Sequence, residues 1–236
     1  MILRVLLLLL LATGVAWGQE EQLRIKRLWL AYEPMWEFNQ CWTLDLEVET
    51  RLSSPVSALS QMRLQPTLEF SLRKWIDLTG GVWLIYTHSD IVIVLNRFEE
   101  RPTAGVRLKH DIWRGVRLNN YTRIEARVRQ GFDPRVTIPV LRLRNRVQAM
   151  IPINHKSISE DNTWSALVDA ELFWQRNLNT DDVINSRRRY RAGLSWRKNA
   201  SWACQFLYGF QQTRINVNRP FSVEHFIKFD LIHNIK

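Results

Sequence analysis

The sequence predicts an all-β chain: a single antiparallel up-and-down transmembrane β-barrel of about 10 to 12 strands, with twelve favoured, preceded by a cleaved signal peptide. Three observations predict it. Apolar and charged residues alternate with a period of two in run after run. Those runs extend over roughly 10–14 residues, enough to cross a bilayer at a tilt. The chain also opens with an export signal: Arg4 gives a positive start, Val5 to Leu11 is unbroken and apolar, and Ala16-Trp17-Gly18 is a small-x-small cleavage site. Residues 1–18 therefore read as a Sec-type signal peptide and residues 19–236 as one outer-membrane barrel domain, with no Cys at the cleavage site to carry lipid. The apolar run is shorter than the ~20 residues a spanning helix needs, and no later run of that kind occurs, so any crossing is made by strands.

The first strand is expected from Arg24 to Trp36. In the second, Trp42, Leu44, Leu46, Val48 and Leu52 alternate with Thr43, Asp45, Glu47, Glu49 and Arg51, one face greasy and the other charged. Gln61 to Arg73 follows, interrupted by Pro66, which predicts a bulge or an edge. After the tight Lys74-Trp75 turn come Ile76 to Tyr86, then Arg101 to Lys109. Val116 to Val128 aligns Arg117, Asn119, Tyr121, Arg123, Glu125 and Arg127 on one side. Leu141, Leu143, Val147, Ala149 and Ile151 alternate with Arg142, Arg144, Arg146 and Gln148. The next run sets Trp164, Ala166, Val168, Ala170, Leu172 and Trp174 against Ser165, Asp169, Glu171 and Gln175. Arg187, Arg189 and Arg191 oppose Tyr190, Ala192, Leu194 and Trp196. Trp202 to Phe210 and Val223 to Ile235 complete the set. Eleven runs are countable, and because bacterial barrels have even strand numbers, Gln19 to Trp36 is expected either to hide two short strands or to place its strand outside the wall.

A length argument separates lipid-facing strands from a soluble sandwich. Trp164 and Trp174 share a face ten residues apart, roughly 34 Å along a strand and roughly 26 Å along the axis at a ~40° tilt. That spacing matches the ~25 Å apolar band flanked by aromatic girdles, where an indole ring satisfies both its apolar body and its N–H. Trp42, Trp164, Trp174, Trp196 and Trp202 are the expected interface aromatics. Connections near Ser53 to Ser60, Thr87 to Glu100, Gln130 to Thr137, Asn177 to Asn185 and Thr213 to Phe221 are long. Those at Lys74-Trp75, Asp111 to Gly115 and Lys198 to Ala200 are short, and Asn154 to Asn162 is an over-long exception. Long loops outside and short turns in the periplasm fix the expected orientation.

The formal net charge of +10 does not point to nucleic acid, because Lys and Arg interleave with Asp and Glu along strands instead of forming one basic run. The five His and two Cys show no metal-ligand spacing, no Gly-rich phosphate loop is present, and Cys41 and Cys204 are not expected to bond. No catalytic, cofactor or metal residues are assigned. His225, His233 and His88-Ser89 are the only candidates for a lipid-acting enzyme, and no third group completes a triad beside His225.

The run Arg142-Leu-Arg-Asn-Arg-Val147, the Trp-initiated strand bearing Asp169 and Glu171, and Arg189-Tyr190-Arg191-Ala-Gly193-Leu-Ser-Trp196 resemble a bacterial family catalogued as domain of unknown function 2490, over about Leu28 to Ile235. The resemblance implies an outer-membrane barrel without an established activity, with outer-membrane lipids and the barrel assembly machinery as partners. Meander pairing would set Asp169 and Glu171 between Arg142, Arg144 and Arg146 on one side and Arg187, Arg189 and Arg191 on the other. This network is expected to plug a narrow lumen and give a structural or ligand-binding barrel. The alternatives are a small anion-selective pore, an anionic small ligand held by the surplus arginine, and, last, an outer-membrane lipid-modifying enzyme.

Overall fold

Period-two alternation becomes a wall of eleven strands in the computed structural model, which describes residues 25–53, 58–88, 96–112, 115–130, 140–177, 183–214 and 222–235. In chain order these are β1 (Ile25–Glu37), β2 (Trp42–Ser53), β3 (Ala58–Arg73), β4 (Ile76–Thr87), β5 (Arg97–Asp111), β6 (Arg117–Gln130), β7 (Val140–Pro152), β8 (Thr163–Asn177), β9 (Val183–Arg197), β10 (Trp202–Thr213) and β11 (Ser222–Ile235). Each pairs antiparallel with its neighbours in sequence, and β1 closes the barrel by pairing parallel with β11. The expected signal peptide, residues 1–18, lies outside the described residues.

Eleven strands fall within the expected 10 to 12, one short of the favoured twelve, and the wall is antiparallel everywhere except at the β1–β11 seam. Ile25–Glu37 is one continuous strand in the wall, neither two short strands nor an outlier. With an odd number of alternating strands the first and last run the same way, so their ladder is necessarily parallel, with slanted bonds that are slightly weaker per residue. The chain therefore enters the wall at the rim of long connections and leaves it at the rim of short turns.

Several strands outrun their side-chain signal. β3 begins at Ala58, β5 at Arg97 and β9 at Val183, because hydrogen-bonded register such as Thr87 with Arg97 continues past the last readable alternation. Pro66 makes no bulge: register to β4 is the same on either side of it, and the shift in that ladder falls between Ser71 and Arg73. The over-long β7–β8 connection is folded on itself. Asn154 bonds Asn162 O and the Trp164 N–H, Ser157 N–H donates to Glu160, and Ile158 is buried. Its Lys156 carbonyl lies against Gly115 of the β5–β6 turn, where a φ of 72° and a virtual Cβ only 1.9 Å from that oxygen require glycine.

Face assignment follows the alternation. Leu68, Ile124, Val147, Phe206 and Tyr208 stand exposed on the outside, while Glu49, Arg123, Glu125, Arg142 and Glu171 are buried inside. A polar cluster stands on the outer face: Asn145 donates to Thr122 at 2.6 Å and to Asn120 at 3.3 Å, so these side chains bond one another in the apolar band.

Closure at the parallel seam is reinforced from within. Trp29 of β1 stacks on Phe226 of β11 with ring centroids 3.7 Å apart, and a side chain at Gly209 would strike the Phe226 ring at 2.0 Å. Gly209→Val is expected to cost about 1–3 kcal/mol through overpacking and to lower the thermal midpoint of the folded barrel. An unchanged midpoint would show that the Trp29–Phe226 stack carries no weight in closure.

Candidate functional site

An eleven-strand barrel is wider than the eight-strand case that side chains just fill, so its lumen needs large occupants. The inward positions supply them as arginines, carboxylates and aromatic rings. Glu171 on β8 accepts from Arg144 of β7 and from Arg189 Nη1 of β9 at 3.0 Å, and Arg189 also holds Gln211 Oε1 at 2.7 and 2.9 Å. Asp169, one inward position along β8, binds Arg191 at 2.9 Å. Glu125 on β6 takes Arg123 at 2.9 Å and Arg142 Nε at 2.8 Å, and Glu99 on β5 joins Arg101 and Arg127. Across the lumen Glu49 of β2 binds both Arg51 and Arg63 at 2.7 Å.

The seam has its own cluster. Lys228 of β11 reaches past β1 to Glu47 at 3.2 Å and Glu49 at 3.6 Å on β2, and to Asp230 at 2.9 Å on its own strand. Arg27 of β1 and Glu224 of β11, 3.1 Å apart, tie the two seam strands nearer the long-connection rim. Outside, Tyr32 and His233 share a 3.0 Å hydrogen bond.

Aromatic rings separate the guanidinium planes. Trp83 faces Arg63 at 4.0 Å and Arg123 at 4.3 Å, Arg51 lies 3.6 Å over Trp29, and Phe173 is ringed by Arg142, Arg144, Arg187 and Arg189 at 5.1 to 5.7 Å. A guanidinium over a ring gains quadrupole attraction without a counter-charge, which lets arginines outnumber carboxylates among buried side chains. Sequence reasoning missed Trp29, Trp83, Phe173 and Phe226 as lumen residues. The signal was present, since Phe173 stands in phase with Asp169 and Glu171, and Trp29 with Arg27.

The predicted network is therefore placed as follows. Glu171 joins Arg144 and Arg189 directly, Asp169 and Arg191 form a neighbouring pair of their own, and Arg142 is tied to the Glu171 group through Glu125, which also lies 3.7 Å from Arg144. Arg146 is in register with Glu171 and stands 5.9 Å over Tyr121. Arg187 is opposite Phe173, not an acid, and has no ion-pair partner among the described residues. Of the expected interface tryptophans, Trp42, Trp164, Trp196 and Trp202 sit at the short-turn rim. There Trp42 meets Phe70 at 4.7 Å, Trp164 stacks on Trp196 at 5.8 Å and Trp202 on His233 at 3.8 Å. Trp174 lies near the other end of β8.

Charge is sorted along the axis. Toward the short turns the inward faces carry Glu33, Asp45, Glu47, Glu69, Asp77 and Asp230 against Arg107, Lys109 and Lys228. Toward the long connections arginines predominate. The histidines considered for catalysis take other partners: His225 bonds Tyr208 on the outer face, and His88 bonds Asn96 at 2.9 Å while Ser89 lies outside the described residues. Cys41 and Cys204 are free, and no cluster of three or more metal-ligating side chains occurs among the described residues.

The family model "Protein of unknown function (DUF2490)" matches residues 26–220. No curated protein matches the chain. A similar solved structure is that of LpxR from Salmonella typhimurium, with 12% identity, a TM-score of 0.54, and coverage of 85% of this chain and 86% of that one. At that identity the likeness speaks for the fold alone.

Proposed function

The chain belongs to the DUF2490 family of proteins of unknown function, and from its own geometry we propose that it is an outer-membrane β-barrel sealed by a charge-and-aromatic plug, a scaffold and not a pore. One observation carries this reading: Glu125, Glu171 and Leu167 are 0% exposed, and Trp29 and Phe173 are 1% exposed, although all five point into the lumen. These side chains fill the middle of the barrel and are closed off from solvent. An anion channel lined by the same arginines would leave them wetted. The likeness to LpxR supports the barrel fold on which this placement rests. The apolar outer face and the tryptophan-rich rim are what outer-membrane lipids would contact.

Conductance in a planar bilayer tests the proposal. The purified barrel is expected to be silent at salt concentrations where an anion pore gives steady, selective steps, and such steps would overturn it. Placement is tested separately by fractionation and by heat-modifiable mobility on a denaturing gel. Val147, exposed at mid-strand on β7, meets lipid on this reading, and Val147→Arg is expected to cost ~2–4 kcal/mol. Full tolerance of that change would place the outer face in water.

A further inference from the structure

Polar side chains on a lipid-facing wall gain nothing from acyl chains, so a cluster of them at mid-strand points to some other occupant of that wall. Asn145 is the sixth of the 13 residues of β7, and Thr122, its register partner, is the sixth of the 14 of β6. Exposed apolar residues flank the pair on both sides, Leu143 and Ile124 toward the long connections and Val147 and Ile151 toward the short turns. The bonds among Asn120, Thr122 and Asn145 use the Asn145 Nδ2, the Thr122 hydroxyl and the Asn120 Oδ1. Left over are an acceptor, Asn145 Oδ1, and a donor, Asn120 Nδ2, neither of which meets a partner among the described residues. The outward positions around them are small: Val106 stands opposite Thr122, Val147 opposite Asn120 and Ala170 opposite Val147. Larger side chains stand out on the walls of β1, β3, β10 and β11, as at Leu30, Leu64, Phe206 and Phe229.

We propose that this patch of β6 and β7 is where a second copy of the chain docks, side by side in the membrane, about a two-fold axis parallel to the barrel axis. The contact rests on the reading that the outer wall meets lipid. A two-fold interface is self-complementary: where one residue of the first copy meets another of the second, the reverse pair forms as well. The patch carries the matching pieces. Asn145 Oδ1 of each copy accepts from Asn120 Nδ2 of the other, so two hydrogen bonds form and the leftover donor and acceptor are both used. Acyl chains offer neither a donor nor an acceptor at this depth, and small side chains around the cluster let two walls come close enough for the amides to meet. The lumen plug takes no part in the contact, so association and conductance can fail independently.

Sedimentation of the purified barrel in density-matched detergent, over a series of protein-to-detergent ratios, tests the contact. Wild type is expected to pass from monomer to dimer as the ratio rises. Asn120→Leu combined with Asn145→Leu is expected to weaken association at least tenfold, and Thr50→Leu, on the far wall at β2, to leave it unchanged. Heat-modifiable mobility confirms that each variant is folded, and Asn145→Ala stands in should the leucine pair fail to fold. In vesicles, with Cys41 and Cys204 changed to serine, Val147→Cys is expected to give a disulfide-linked dimer on oxidation, because a residue beside a two-fold axis meets its own counterpart. Leu64→Cys on β3 is expected to give none. Monomer at every ratio with no Val147 cross-link, equal cross-linking at Val147 and Leu64, or undiminished association of the leucine pair each overturns the proposal. Undiminished association with a lowered thermal midpoint would show that the cluster only fastens β6 to β7. A barrel that stays soluble without detergent overturns the membrane reading as well, which a monomer held in detergent does not.

Discussion

Replacing Asp169 and Glu171 together with alanine is expected to destabilise the barrel by at least ~3–5 kcal/mol, the cost of breaking a buried ion pair by removing one side. The two acids between them hold Arg144, Arg189 and Arg191, and Glu171 is wholly buried. Alanine leaves three buried guanidinium groups without their carboxylates, and Gln211 with the Phe173 ring cannot replace two full negative charges. The loss is read as a fall in the urea or thermal midpoint, with no new permeability. Had these groups lined a pore, solvent would screen the freed arginines and the variant would fold with a stronger preference for anions. The penalty comes from stranding charge, so exchanging Glu171, Arg144 and Arg189 jointly for apolar residues of similar volume is expected to cost far less than removing Glu171 alone.

Lys228→Met is expected to be comparably damaging, again about 3–5 kcal/mol. The methionine keeps the length and apolar stem of lysine but takes away the ammonium that lies within 4 Å of Glu47, Glu49 and Asp230. Arg51 and Arg63 still hold Glu49, so the uncompensated charge falls chiefly on Glu47 and Asp230. Because Lys228 reaches from β11 across β1 to β2, the variant weakens the parallel seam specifically. Backbone hydrogen exchange is expected to accelerate in β1 and β11 before the antiparallel strands opposite. A change below 1 kcal/mol, or exchange spread evenly around the barrel, would mean that the seam does not depend on this lysine.

The faces of β2, β7, β8 and β9 were legible from sequence because each alternates apolar residues with full charges, and a charge on the wrong face is costly enough to leave no ambiguity. From the same pattern Asp169 and Glu171 could be set between the arginines of β7 and β9, since consecutive strands of a meander pair in order. Glu125 as the partner of Arg142 was not legible, because it depends on the β6–β7 register, which places Glu125 opposite Arg142. The parallel closure was hidden for a related reason: alternation tells which way a side chain faces but not which strand lies across the seam. The lumen aromatics were hidden by chemistry. A Trp or Phe in a membrane strand reads first as lipid-facing, and only its phase relative to neighbouring charges, as with Phe173 after Glu171, reveals that it points inward.

Thiol accessibility tests the sealed, charge-lined lumen most directly. Ser165 and Ser195 point inward on β8 and β9, are paired in register and are nearly buried, and cysteine replaces serine with little change in volume. In a background with Cys41 and Cys204 changed to serine, Ser165→Cys and Ser195→Cys barrels reconstituted in vesicles are exposed to a small charged thiol reagent, then unfolded and exposed again. The sealed lumen leads to the expectation of no labelling of either site in the folded barrel and full labelling after unfolding. Labelling of the folded barrel at a rate like that of the exposed Cys41 in the unmodified protein would show water in the lumen and contradict it.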